Sequence, residues 1–318
     1  MGCMKYSIIV PVYKNAESIP RLIQAISGIN ESLNNEVEAV FVVDGSPDAS
    51  FALIKKELAN LPFAAQLIAH SRNFGSFPAI RTGLMAANGD YFGVMAADLQ
   101  EPPELLISFF RSLANDECDV AIGTRNARKD PLFSRLASTM FWGLYRKLVV
   151  HDMPKGGVDI FGCNNAFKEQ LLKLEESRSS LIALIFWLGF RRKFVDYDRQ
   201  IRQEGKSAWT FKKKLEYMMD SVFAFTDYPI RLLIKMGAIG SLMSAAIGLL
   251  VIIARIHGTI AVPGYAATMV VVLLLGTLNL LGLGLVGTYA WRAYENTKQR
   301  PLAVVSIQLN NREQADHV

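Results

Sequence analysis

Two long stretches without a charged side chain constrain this chain more than anything else in it. One runs from Met236 to Ala254 and the other from Ile260 to Trp291. A helix needs about 20 apolar residues to cross a hydrocarbon core, and each stretch supplies that length. The pattern predicts helices over 231–256 and 265–290, with Pro263-Gly264 in the connector. Helices that are apolar on every face belong in lipid or deep in a protein core. A buried soluble hairpin is therefore the alternative. Gly276, Gly282, Gly284 and Gly287 in the second stretch suit close helix packing.

The basic residues orient the hairpin. Lys212, Lys213, Lys214, Arg231 and Lys235 precede it, Arg292, Lys298 and Arg300 follow it, and only Arg255 and His257 lie between. Both ends are expected in the cytosol. This predicts a cytosolic domain over 1–208, interfacial helices over 209–230, a two-helix membrane hairpin over 231–292 and a cytosolic tail over 293–318. The net charge of +5 is concentrated beside the spans. It suits anionic headgroups or a solvated helix face, and suits nucleic acid poorly. Leu181–Phe190, followed by Arg191-Arg192-Lys193, reads either as a membrane-surface element or as a core helix.

Hydrophobic residues at 51% exclude a disordered chain. Cys3, Cys118 and Cys163 lack metal-ligand spacing and are odd in number, which argues against a disulfide framework or zinc site. Ser7–Tyr13 is too short an apolar run for a signal peptide and reads as a strand.

Before the hairpin, strand and helix patterns alternate. Strands are expected at Ser7–Val12, Val37–Val43, Gln66–His70, Tyr91–Ala96 and Val120–Gly123. Helices are expected at Ile19–Ile29, Ser50–Ala59, Phe77–Ala87 and Pro103–Leu113, with Ser18 as the first N-cap. Such alternation predicts an α/β sandwich on a mostly parallel sheet. Its ligands should bind at the carboxyl ends of the strands. Asp44-Gly45-Ser46-Pro47-Asp48 follows one strand and reads as a turn or a ligand loop. Asp98 and Gln100 follow another. On an extended segment they would point the same way, as hard oxygen ligands for Mg²⁺ or Mn²⁺ holding phosphates.

The segments Pro11-Val12-Tyr13, Asp44–Asp48, Arg72-Asn73-Phe74-Gly75 and Ala97–Glu104 together resemble the successive motifs of family 2 glycosyltransferases. Gly157–Phe161, Arg202–Trp209 and the hairpin agree with the polyprenyl-phosphate branch, which includes dolichyl-phosphate mannose synthase and the bactoprenol glucosyltransferases. The resemblance implies a GT-A-type nucleotide-sugar-binding sandwich with a C-terminal transmembrane hairpin. Pro11, Tyr13, Asp44, Ala97 and Arg125 would line the nucleotide-sugar pocket, Arg125 being equally readable as a surface residue. Asp98 and Gln100 would hold Mg²⁺ or Mn²⁺, Asp98 and Asp159 would be catalytic, and Arg202 and Lys206 would grip phosphates.

The implied activity is inverting transfer of a hexose from UDP-glucose or another UDP-hexose to undecaprenyl phosphate at the bacterial plasma membrane. The product would serve lipopolysaccharide or other surface-glycan modification. A homo-oligomer, such as a tetramer, and a flippase are the implied partners. Three positions depart from the family pattern: Ala96 and Val43 replace acids, and Tyr13-Lys14-Asn15 lacks the usual Glu. These put metal dependence and nucleotide identity in question. They keep open a transferase with another acceptor and a non-catalytic nucleotide-sugar-binding scaffold.

Overall fold

The computed structural model describes residues 5–125, 143, 145–146, 150, 152–154, 158–176, 179–200, 211–257 and 264–311. They divide into two units, 1–215 together with 301–318, and 216–300.

The first unit is built on a mixed sheet. Its strands are β1 Tyr6–Val12, β2 Val37–Val43, β3 Ala64–His70, β4 Tyr91–Val94, β5 Val120–Arg125, β6 Val158–Asn164, β7 Arg192–Tyr197 and β8 Val305–Asn310, in the order β7-β5-β6-β4-β1-β2-β3-β8. The pairs β5–β7, β1–β4, β1–β2 and β2–β3 are parallel. The pairs β5–β6, β4–β6 and β3–β8 are antiparallel. The helices are α1 Ile19–Ser32, α2 Ser50–Glu57, α3 Ser76–Ala86, α4 Pro103–Ala114, α5 Asn165–Lys173 and α6 Leu181–Trp187.

Parallel strands are covered on both faces, so their sequences run apolar without alternating. Every residue of β2 is buried, and Val40 and Phe41 are fully enclosed. Helix α3 approaches β1 at Gly83, where a Cβ would stand 2.4 Å from Ile9 Cγ2.

Glu38, near the start of β2, is an acid buried within this apolar sheet. Its carboxylate accepts from Ser7 Oγ, Gln66 Nε2, Asn88 N and Asn88 Nδ2 at 2.7–3.0 Å. Those donors tie together the amino ends of β1, β2 and β3 and the turn before β4. A buried carboxylate is tolerable on such terms because its lone pairs are satisfied.

The expected alternation is present, with small shifts at the ends. β4 stops at Val94: its last ladder bond is from Met95 N–H to Ile9 O, and the chain turns at 97–98. Ser18 precedes α1, but its hydroxyl donates to Asn15 O and Ala97 O and does not cap the helix. The sequence reading had not anticipated β6, β7 or β8. Their partners lie far away in the chain, where no local pattern announces them.

Helix α6 is a core helix. Leu181, Ala183, Leu184, Ile185 and Phe186 are buried, while Trp187 stands 66% exposed. The cations after it face carboxylates: Arg191 pairs with Asp116 and Asp119, Arg192 with Asp152 and Lys193 with Glu117. Cations matched in this way leave little charge for headgroups, which weighs against the membrane-surface reading of 181–193.

In the second unit, α7 Phe211–Phe225 overlaps the boundary and is followed by α8 Tyr228–Ile256 and α9 Tyr265–Thr297. Arg292 pairs with Asp220 at 2.5 Å and lies over the Phe223 ring, whose edge meets Tyr289. A Cβ added at Gly282 would stand 3.7 Å from Leu233 of α8, while one added at Gly276, Gly284 or Gly287 would meet no neighbour within 4 Å among the described residues. Among the described residues one helical segment, Leu274–Thr297, is long and apolar enough to cross a membrane by length and composition.

Candidate active site

The carboxyl ends of β1 and β2 carry loops that are welded to each other. Lys14, with a left-handed φ of 57°, donates its N–H to Ser46 Oγ at 2.8 Å. Asn15 N–H reaches Ser50 Oγ and Ala16 N–H reaches Asp48 Oδ2. Asp48 Oδ1 also accepts from Ser46 Oγ at 2.6 Å and from Ser50 N at 3.2 Å. This is the Asx turn that opens α2, so at Asp48 the turn reading of the motif holds. Burial alone would raise the Asp48 carboxyl. The Ser46 and Ser50 hydroxyls and the Ala16 and Ser50 amides outweigh it and hold the group below the usual carboxylate range.

A second weld joins the ends of β2 and β3. Asp44 is 2% exposed. Its Oδ1 accepts from Phe74 N at 2.9 Å and its Oδ2 from Gly75 N at 2.7 Å. His70 Nδ1 lies 2.8 Å from the same Oδ1, and His70 Nε2 lies 2.9 Å from Thr82 Oγ1. The ring thus bridges the carboxylate and the threonine hydroxyl, one nitrogen to each. Gly45 has a φ of +56°, and a Cβ there would stand 2.2 Å from the Arg72 carbonyl carbon. Only glycine lets the two loops approach this closely. Above them the Arg72 guanidinium stacks on Phe74 at 4.1 Å.

The end of β4 departs from expectation. Ala97 and Asp98 form a turn and Leu99 is left-handed at φ 52°, so Asp98 and Gln100 do not share an extended face. Asp98 is half-buried and its Oδ1 accepts from Gln100 N at 3.4 Å. Gln100 is 9% exposed, and its side-chain oxygen accepts from Arg199 Nη2. Gln200 N–H donates to Gln100 O, so the chain beyond β7 passes directly beside this turn.

The remaining expected residues fall at the same edge of the sheet or outside the described residues. Pro11 is half-buried in β1 and Tyr13 half-buried just after it. Ala97 is buried, with its carbonyl held by Ser18. Arg125 ends β5. Asp159 is the second residue of β6, whose antiparallel course sets Val158 opposite Thr124 and so places the Asp159 backbone at this same edge; its side chain lies outside the described residues. So do Arg202 and Lys206. The fold thus gathers Pro11, Tyr13, Asp44, Ala97, Asp98, Gln100, Arg125 and the Asp159 backbone along one row of strand ends.

Of the departures, Val43 is a core residue at the end of β2, so an acid there would be buried. His70 and Arg199 were missed by the sequence reading. A usable signal for His70 was its position as the last residue of a strand, two residues before the Arg72–Gly75 segment. Asp98 supplies a hard oxygen donor suited to Mg²⁺ or Mn²⁺. The oxygen of Gln100 is engaged by a cation. Among the described residues no three His, Cys, Asp or Glu side chains cluster as a metal site.

Comparison with known proteins agrees with this geometry. The model of glycosyl transferase family 2 matches residues 7–174, from β1 through α5. CsbB of Bacillus subtilis strain 168, a glycosyltransferase by name, is 33% identical over 93% of this chain and 89% of its own length. The bactoprenol glucosyl transferase of Shigella phage SfV is 28% identical over 95% of this chain and 98% of its own. The prophage bactoprenol glucosyl transferase homolog of Escherichia coli strain K12 is 27% identical over the same two shares. With the strand ends, the matched span and these relatives in agreement, the chain belongs to glycosyl transferase family 2.

Proposed function

We propose that this chain transfers a hexose, from UDP-glucose or another UDP-hexose, to undecaprenyl phosphate at the cytosolic face of a bacterial plasma membrane. The observation that carries the proposal is the end-to-end likeness to bactoprenol glucosyl transferases, which extends past the sheet domain through both long helices.

The topology supports a membrane hairpin. Strand β8 follows α9 yet pairs with β3. Residues 216–300 therefore leave the sheet unit and return to it, and any bilayer they cross is crossed an even number of times. With Leu274–Thr297 as one span, this reading makes α8 the return span. Leu242, Met243, Ile247, Leu249, Leu250 and Ile253 of α8 are exposed in the isolated chain, as lipid-facing residues would be.

The chemistry needs little covalent help. An acceptor phosphate is largely dianionic near pH 7, its second pKa being about 6. One of its oxygens attacks the anomeric carbon, the bond to the diphosphate oxygen breaks, and the nucleoside diphosphate leaves with the electron pair, so the configuration inverts. The welded loops after β1, β2 and β3 hold the nucleotide in one orientation, which is where most of the protein's contribution lies. Asp98, with Gln100 if Arg199 yields it, would hold a divalent metal, which supplies charge neutralisation at the leaving diphosphate. Arg199 brings a further positive charge to the same turn. Asp159 orients the sugar and acceptor from the β6 edge. The same reading includes a homo-oligomer packed through the hairpins and a flippase that takes the product.

The test is product formation by the detergent-purified chain with undecaprenyl phosphate and a panel of UDP- and GDP-sugars, with and without Mg²⁺ or Mn²⁺. A lipid-linked monosaccharide from one donor is expected. Nucleotide binding without product from any donor refutes the proposal, and favours another acceptor or a non-catalytic scaffold.

A further inference from the structure

Strand β8 contributes little to the core. Val305 and Ile307 are each 44% exposed, and Leu309 is its one partly buried contact with the core cluster. An apolar edge strand is ordinarily an aggregation liability, so its presence calls for a reason other than burial.

The reason lies in what it grips. Gln66 through Ala69 pair with Asn310 through Ile307, then the register shifts so that His70 faces Val305. Beyond the shift, Ser71 N–H donates to Val304 O at 2.9 Å, and Ser306 Oγ donates to Ala69 O at 3.0 Å. At the far end Asn311 accepts from Ala65 N and donates to Phe63 O, pinning the strand. The residues held at the near end are the ones that hold Asp44. His70 meets its carboxylate directly, and three and four residues beyond Ser71 come the Phe74 and Gly75 amides. Without β8, β3 becomes the edge of the sheet and Ser71 N–H loses its acceptor.

We infer that β8 is a positioning strand for the donor pocket: by holding residues 69–71 it sets the His70 ring and the Arg72–Gly75 loop against Asp44. The inference rests on the nucleotide-sugar reading of these strand ends. It also gives a use to the chain that follows the hairpin. Only residues 298–304 separate the end of α9 from β8, so the donor pocket is tethered to the hairpin through its own sheet.

The experiment compares UDP and GDP binding, with Mg²⁺ present, by the intact detergent-purified chain and by a variant ending at Ala303. Loss of β8 should weaken nucleotide binding about tenfold, within the usual range of coupling between linked sites. A synthetic peptide of residues 301–311 added in trans should restore it. Equal affinity in a folded variant overturns the inference and leaves the donor reading intact. Absence of binding by the intact chain overturns both. Should the variant fail to fold, hydrogen exchange on the intact chain decides. Coupling is reciprocal, so saturating nucleotide must slow exchange of the β8 amides that face β3, several-fold, although β8 lies on the far side of β3 from β2. Unchanged protection there overturns the inference.

Discussion

Replacing Asp44 by Asn separates a clamp from a ligand contact. In the native loop Oδ1 takes Phe74 N–H and His70 Nδ1, while Oδ2 takes Gly75 N–H. An amide has one acceptor oxygen. Turned toward Phe74 and His70, it sets its NH₂ against the Gly75 N–H, donor facing donor. A hydrogen bond to a charged group contributes about 1.5–3 kcal/mol, and a buried donor left unsatisfied costs about 1–3 kcal/mol. These overlap, so the expected loss is about 3 kcal/mol. For a unit of this size each kcal/mol moves the midpoint by about 2–4 °C, which gives a fall of about 6–12 °C. The assay is thermal unfolding followed by tryptophan fluorescence, with UDP binding measured in parallel at low temperature. A midpoint that moves by less than about 2 °C while nucleotide binding disappears would refute the reasoning. Asp44 would then be a ligand contact whose bonds to the 74–75 amides contribute nothing to stability.

The other predictions concern separate parts of the molecule. Glu38→Ala strands four donors in the buried network at the amino ends of the strands; it should cost about 3 kcal/mol or more with unchanged KM for the donor, and a raised KM would connect this network to the site. Asp98→Ala should abolish any stimulation by Mg²⁺ or Mn²⁺, whereas a surviving metal response places the metal elsewhere. Asp159→Asn should lower turnover more than donor affinity, and an unaltered rate removes Asp159 from the chemistry. Asp48 has a depressed carboxyl. Its stabilisation is therefore full above the unfolded value, about 3.9, and is lost as pH falls through the lower folded value. Asp48→Asn should flatten the acid limb of the stability–pH curve, and an identical limb in both proteins would show that Asp48 is not linked to folding.

Much of the fold was legible in the chain because its signals are local. The unbroken apolar run Val37–Val43 is a buried parallel strand by composition alone, and the structure has it at those same residues. The two uncharged stretches became the long helices α8 and α9, within a few residues at most ends. The position of the candidate site was legible, because motifs that follow strands must lie along one edge of a parallel sheet. The use of its polar groups was not. Asp44 and Asp48 spend most of their acceptors on neighbouring loops. Whether a motif carboxylate faces a ligand or a backbone amide depends on loops brought in from 30 residues away.

Hydrophobic period, run length and turn chemistry are properties of adjacent residues, so the sequence by itself determined the strand–helix alternation from β1 to β5 and the two long apolar helices. Strand partnership between distant segments carries no such local signature. Tertiary structure therefore decided that β6 runs antiparallel between β4 and β5, bringing the Asp159 backbone to the site edge. It also decided that the segment read as a tail returns as β8 beside β3, because only the assembled sheet offers Ala69 and Ser71 the backbone partners that this strand supplies.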